Sequence, residues 1–170
     1  MHTKMTRWGI GPLFAALSIV YAAILEALSL ACAPLFDITW PPRTVLTGLG
    51  SALIIVGIPL WLWATVAVMR AYNSGTLVTR GIYRCCRHPL YAAWIVLIGP
   101  GIALLSHSWL LLSAPPWMYA VARVLVVREE VSLETLFGGR YRAYRKSVPC
   151  LMPYGCLKSR RRTAPGACAD

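Results

Sequence analysis

Long stretches without charge constrain this chain most. The run Leu46–Met69 contains no charged side chain, and about 20 apolar residues in a helix cross the ~30 Å hydrocarbon core of a bilayer. A first run, Trp8–Ala31, follows Lys4 and Arg7 and is longer than the ~7–15-residue apolar region of a signal peptide. Both runs are therefore predicted to be retained membrane helices.

Two further apolar runs complete the pattern. Leu90–Leu105 and Trp109–Val127 are separated only by "SHS", a connection short enough for a helical hairpin. The chain is 58% hydrophobic, which is too apolar for an ordinary soluble domain of this size. The predicted fold class is an all-α integral membrane protein with about four transmembrane helices.

The distribution of basic residues predicts the orientation. The chain has a formal charge of +11, and an excess of Lys and Arg beside membrane spans marks the cytoplasmic side. The loop between the second and third runs carries the strongest cluster: Arg70, Arg80, Arg84 and Arg87. With four spans, both termini are then cytoplasmic. Anionic lipid headgroups are the nearest partners of such short segments, so no nucleic-acid partner is expected.

After Val127 the uninterrupted apolar run ends and charged residues become frequent. Aromatic and apolar residues recur at helical spacing between basic ones, and the pattern is interrupted at Gly138 and Gly139. This predicts a C-terminal interfacial amphipathic helix. Residues 1–155 are expected to form a single helical membrane domain, followed by a basic disordered tail over 156–170.

The stretch "CRHPLYAA" stands where the basic loop meets the third apolar run. Pro89 suits the first turn of a helix, and the unpaired amides that follow it favour a ligand carboxylate. The alternative is that Arg87 and His88 only anchor the chain to lipid phosphates while Tyr91 sits at the interface.

Glu129 and Glu130 are adjacent carboxylates in a chain with six acidic side chains. Because two neighbouring carboxylates repel each other, a cationic partner is expected for at least one of them. The alternative is an ordinary pairing with Arg128 or a loop arginine. Arg123 precedes Glu130 by seven residues and therefore shares its helix face.

A glycine pair flanks Pro100 within the third run. Gly99 and Gly101 would let another backbone or a flat ligand come close. A kink that serves only helix packing is an equally good interpretation.

Taken in order, these motifs resemble a known family. "LVTRGIYRCCRHPLYAAW", a hydrophobic hairpin and then "EEVSLETLFGGRYRAYRKSVP" look like the isoprenylcysteine carboxyl methyltransferase and phospholipid methyltransferase group of membrane enzymes. The resemblance covers 77–153. Two positions depart from it: Ala93 stands where the family commonly has glycine, and Leu125 stands where prenylcysteine enzymes carry arginine. Arg123 is a hypothetical substitute for that arginine.

The resemblance implies S-adenosylmethionine as methyl donor and a lipidic acceptor, either an isoprenoid carboxylate or thiol-linked group or a phospholipid amine. It implies a catalytic role for Glu130, and Arg123 is the hypothetical second catalytic residue because of its seven-residue offset. The six cysteines show no paired short spacing of the zinc type, so no metal site is expected. The implied cofactor-binding residues are Arg87, His88, Pro89, Tyr91, Gly99, Gly101, Glu129 and Glu130. The rival interpretations are a small membrane transporter or scaffold, and a catalytically inactive relative that binds lipid.

Overall fold

The computed structural model describes residues 10–152, and within them it contains helices and turns but no strand. The helices are α1 (Gly11–Ala31), α2 (Arg43–Ser74), α3 (Pro89–Leu105), α4 (Ala114–Phe137) and α5 (Gly139–Ser147). Single 3-10 turns, Gly81–Arg84 and Leu110–Ser113, precede α3 and α4. The all-α class is confirmed, and the tail over 156–170 lies outside the described residues.

Three helices are long and apolar enough to cross a membrane. They are Gly11–Ala31, Arg43–Ser74 and Leu110–Phe137, and α3 is one shorter apolar helix. Two of them extend past the predicted runs. α2 is longer at both ends, and α4 continues ten residues beyond Val127, so the paired glutamates lie on the same helix as the fourth apolar run.

α3 changes its hydrogen-bond register in the middle. Regular α-helix over Pro89–Ala93 and Gly99–Leu105 flanks a π-helical turn, Trp94–Ile98. Pro100 has no N–H with which to continue the i→i−4 ladder, and the amide of Gly99 instead donates to the carbonyl of Trp94. The proline thus accounts for a register shift that single π-turns commonly make inside α-helices.

Close packing of α2 on α3 depends on glycine. An added Cβ at Gly101 would lie 2.7 Å from Ile54 Cγ1 and 2.9 Å from the carbonyl oxygen of Gly50. Small residues let membrane helices approach this closely and gain van der Waals contact. On the other side of the bundle, α1 packs on α4 through Tyr21, whose ring stacks on Trp117 with centroids 4.7 Å apart.

One end of the bundle, here called the motif end, holds the start of α3 and the end of α4. The hydroxyl of Tyr83 donates to the carbonyl of Ala64 in α2, and the hydroxyl of Tyr144 in α5 donates to the carbonyl of Tyr83 over 2.6 Å. Gly138, with φ of +53°, reverses the chain between α4 and α5. α5 therefore folds back across the motif end.

The predicted amphipathic character of α5 is confirmed. Tyr141 and Tyr144 are buried, whereas the basic side chains of the helix are exposed: Arg140, Arg142, Arg145 and Lys146. The break that separates α5 from α4 falls at the predicted glycine pair.

Candidate functional site

The start of α3 and the paired glutamates of α4 are in contact at the motif end. Arg87 Nη1 lies 2.9 Å from Glu130 Oε1, and His88 Nε2 lies 3.5 Å from the same oxygen. The hydroxyl of Tyr91 donates to Glu129 Oε2 over 3.2 Å. The two adjacent carboxylates therefore have separate partners, which offset the electrostatic repulsion expected between them.

Arg145 also belongs to this group, although sequence reasoning did not single it out. Its Nε lies 3.5 Å from Glu130 Oε2, and its Nη1 lies 3.4 Å from Glu134 Oε2. Arg142 also approaches Glu134, at 3.8 Å. These pairs are arranged roughly symmetrically about Gly138, as expected where a helix doubles back on the one before it. A reversal of the chain at the glycine pair, had it been predicted, would have indicated these ion pairs.

The segment after α5 fixes the site from its C-terminal side. The amides of Arg87 and His88 donate to the carbonyls of Pro149 and Cys150 over 2.9 and 3.1 Å. Leu151, only 3% exposed, joins the core that contains Phe14, Tyr91 and Val126. The motif "RHP" is therefore held by backbone hydrogen bonds on one side and by the core on the other.

Several buried donors at this site have no hydrogen-bond partner within the described part of the chain. They are Arg87 Nε and Nη1, His88 Nε2 and the Tyr141 hydroxyl. Arg87 Nη1 is close enough to Glu130 for charge attraction but lacks hydrogen-bond geometry. Because buried donors are normally satisfied, their convergence indicates a place for an acceptor-rich, anionic ligand group.

The negative charge of Glu130 raises the pKa of two neighbouring groups. Burial, reinforced by that charge, raises the pKa of the Tyr141 hydroxyl well above its usual range. Burial and the same carboxylate also raise the pKa of the Cys150 thiol, whose Sγ lies 3.6 Å from Glu130 Oε1. Both groups are therefore protonated near neutral pH and available as donors.

Three of the residues singled out from the sequence lie away from this cluster. Gly99 and Gly101 are 10 and 12 residues beyond Pro89, about 15–18 Å along α3, and their Cβ positions point at Met118 and at Ile54. Arg123 is exposed on α4, and its positive charge reaches the Cys150 thiol. The structure thus gives the glycines packing contacts and leaves the Arg123 side chain exposed.

Comparison with known proteins gives this site a family context. The phospholipid methyltransferase family model matches residues 45–140. Protein-S-isoprenylcysteine O-methyltransferase of Rattus norvegicus is 31% identical over 132 residues, covering 69% of this chain and 46% of that protein. The enzyme of the same name from Mus musculus is 34% identical over 84 residues, covering 48% of this chain and 29% of that protein.

A second kind of relative aligns over more of the chain. The nickel-cobalt-cadmium resistance protein NccN of Alcaligenes xylosoxydans xylosoxydans is 29% identical over 155 residues, covering 90% of this chain and 68% of that protein. No solved structure matches. The chain spans less than half the length of the two isoprenylcysteine methyltransferases. Since the family model covers more than half of the chain, the protein belongs to the phospholipid methyltransferase family.

Proposed function

We propose that the protein transfers a methyl group from S-adenosylmethionine to the carboxylate of a lipidic, isoprenylcysteine-like acceptor at the cytoplasmic membrane face. The observation that carries the proposal is the contact between Arg87, His88 and Glu130, with Tyr91 bound to the neighbouring Glu129. Family membership and the names of the isoprenylcysteine relatives support the reaction class.

The residues at the motif end fit this methyl donor. When bound, S-adenosylmethionine supplies an electrophilic methyl group on a sulfonium, together with a carboxylate, an ammonium and a ribose diol. Arg87, His88 and Tyr141 offer unpaired buried donors that suit the carboxylate. Glu129, which accepts the Tyr91 hydroxyl, suits the ammonium or the ribose hydroxyls.

The surroundings of Glu130 favour an acceptor that is already ionised. A phospholipid amine arrives as an ammonium and needs a base to remove its proton. Arg87 and Arg145 stabilise the charge of Glu130, and a stabilised carboxylate is a poorer base. A carboxylate acceptor needs no base, so this pairing does not impede it.

The remaining task of the protein is positioning. Methyl transfer is an in-line displacement, so orientation of two bound groups and exclusion of water supply much of the acceleration. Backbone hydrogen bonds from Arg87 and His88 to Pro149 and Cys150 hold these residues in position. The exposed Arg123 is suited to hold the acceptor's anionic group, because guanidinium pairs well with carboxylate.

The test is methyl incorporation by detergent-purified protein from radiolabelled S-adenosylmethionine into an S-prenylated cysteine. A carboxyl methyl ester releases methanol on mild alkaline treatment, whereas an N-methyl group does not. We expect alkali-labile label, lost in His88→Ala and Glu129→Gln. Alkali-stable label in phospholipid would overturn the carboxylate assignment.

Binding of S-adenosylhomocysteine, followed by calorimetry, separates an enzyme from a transporter or scaffold. We expect binding that His88→Ala and Glu129→Gln abolish. The matched control is Glu134→Gln, which removes an acidic side chain from the same helix that pairs with Arg142 and Arg145. Absence of binding in lipid-containing samples of the wild-type protein would refute the proposal.

A further inference from the structure

Three side chains that bind metals in many proteins meet at the motif end. His88, Glu130 and Cys150 each offer one ligand atom, and these atoms all lie within 4.8 Å of one another. Glu130 Oε1 is 3.6 Å from Cys150 Sγ and 3.5 Å from His88 Nε2. No metal site was predicted from the sequence, because its six cysteines show no paired short spacing of the zinc type. Cys150 is 20 residues from Glu130 and 62 from His88 along the chain.

These separations suit a small tetrahedral ion. Zinc bonds of about 2.0–2.3 Å at tetrahedral angles place neighbouring ligand atoms about 3.3–3.7 Å apart. The two contacts of Glu130 Oε1 fall in that interval, and the ligand atoms of His88 and Cys150 lie within 4.8 Å of each other. An ion could therefore be bound with small side-chain adjustments.

The three ligands are held in place by the fold. His88 is 6% exposed, and its Nε2 has no hydrogen-bond partner within residues 10–152. The carbonyl of Cys150 accepts from the amide of His88, which fixes the two residues relative to each other, and the Cys150 thiol is free. A buried imidazole nitrogen without a partner, directed at a carboxylate and a thiol, indicates a ligand between them.

The local charge limits which ions fit. Binding of an ion releases the proton of the Cys150 thiol to water. The resulting thiolate and the Glu130 carboxylate together offset the two charges of a divalent ion, but Arg87 and Arg145 lie against Glu130 and oppose it. A hard ion such as Mg²⁺, which depends on carboxylate oxygens and water, gains little here. A soft or borderline ion gains from the sulfur.

We propose that His88, Glu130 and Cys150 form a three-ligand site for Zn²⁺ or Cd²⁺ that overlaps the proposed methyl-donor site, so that the ion and the methyl donor exclude each other. The ion-binding half of this inference stands on the geometry alone. The mutual exclusion of the ion and S-adenosylmethionine rests on the proposed function, because it requires His88 to bind S-adenosylmethionine.

The ion site is tested by titrating full-length, detergent-purified protein with CdCl₂ and following thiolate-to-cadmium charge-transfer absorption and calorimetric heat. We expect one binding event that disappears in Cys150→Ser and weakens at least tenfold in Glu130→Gln. Cys32→Ser, which removes an exposed thiol, is the matched control and should keep that event. MgCl₂ should give none. An unchanged titration of Cys150→Ser would overturn the site.

The exclusion is tested by measuring S-adenosylhomocysteine affinity with and without saturating CdCl₂. We expect at least a tenfold loss in the wild-type protein and none in Cys150→Ser. Equal affinities in the presence and absence of cadmium would overturn the overlap. If S-adenosylhomocysteine fails to bind even without cadmium, the proposed function falls, whereas the cadmium titration still decides the ion site.

Discussion

Arg87 and Glu130 form a buried ion pair, with Nη1 and Oε1 2.9 Å apart and side chains 10% and 8% exposed. Removing Glu130 leaves Arg87 as an uncompensated buried charge, which costs about 3–5 kcal/mol. Removing Arg87 costs less, because Glu130 keeps its contact with Arg145. We predict that Glu130→Gln or Arg87→Gln alone lowers the unfolding temperature in detergent. The double substitution should recover at least half of that loss, because no charge is then left unpaired.

The control for this cycle is Arg142→Gln combined with Glu134→Gln. That pair is exposed and 3.8 Å apart, and exposed pairs contribute about 0–1 kcal/mol. Thermal unfolding of all six variants measures both couplings. If the buried cycle proved additive, Arg87 and Glu130 would not be energetically coupled.

Arg123 is predicted to act on the acceptor rather than on the methyl donor. Its guanidinium is exposed on α4, about 10 Å along the helix from Glu130. Loss of a charge-assisted contact should raise KM for a prenylated carboxylate about tenfold in Arg123→Gln, with S-adenosylhomocysteine affinity unchanged. Arg128→Gln, also exposed on the same helix, is the control. Equal kinetic effects of the two substitutions would remove the assignment.

Much of the fold followed from residue patterns with a single physical cause. Apolar runs located the helices that are long enough to cross a membrane, and Gly138–Gly139 located the break before α5. The extent of α4 was not predicted, since charged side chains after Val127 end the apolar signal but do not end a helix. The π-turn of α3 was also missed. Pro100 predicts a break in the helical hydrogen-bond ladder, but it does not predict which backbone hydrogen bonds replace the lost one.

The site was partly predictable for a similar reason. "RHP" and the paired glutamates are local motifs, and the structure brings them together. Arg145 and Cys150 reach Glu130 only because α5 folds back and the following segment pairs with Arg87 and His88. Such contacts depend on the direction of α5, which composition and periodicity do not specify.

Gly101 is predicted to be intolerant of any side chain. A Cβ there would lie 2.7 Å from Ile54 Cγ1 and 2.9 Å from a backbone oxygen, and overpacking of this kind costs about 1–3 kcal/mol. Gly101→Ala should therefore lower the unfolding temperature. Gly48→Ala, on α2 with nothing within 4 Å, should raise it slightly, because alanine is the better helix former. A Gly101→Ala protein as stable as the wild type would contradict the close approach of α2 and α3.

Stability is predicted to fall in alkali through Cys86. Burial raises the pKa of this thiol from its ordinary 9.0 to about 11, so between these values the unfolded chain loses a proton that the folded protein keeps. The contribution is fully present below pH 9 and is lost as the pH rises to about 11. Unfolding temperatures from pH 8 to 11 should decline less steeply in Cys86→Ala than in the wild type. Cys32→Ala, which removes an exposed thiol, should keep the wild-type slope, and a Cys86→Ala slope equal to it would refute this origin of the alkaline loss.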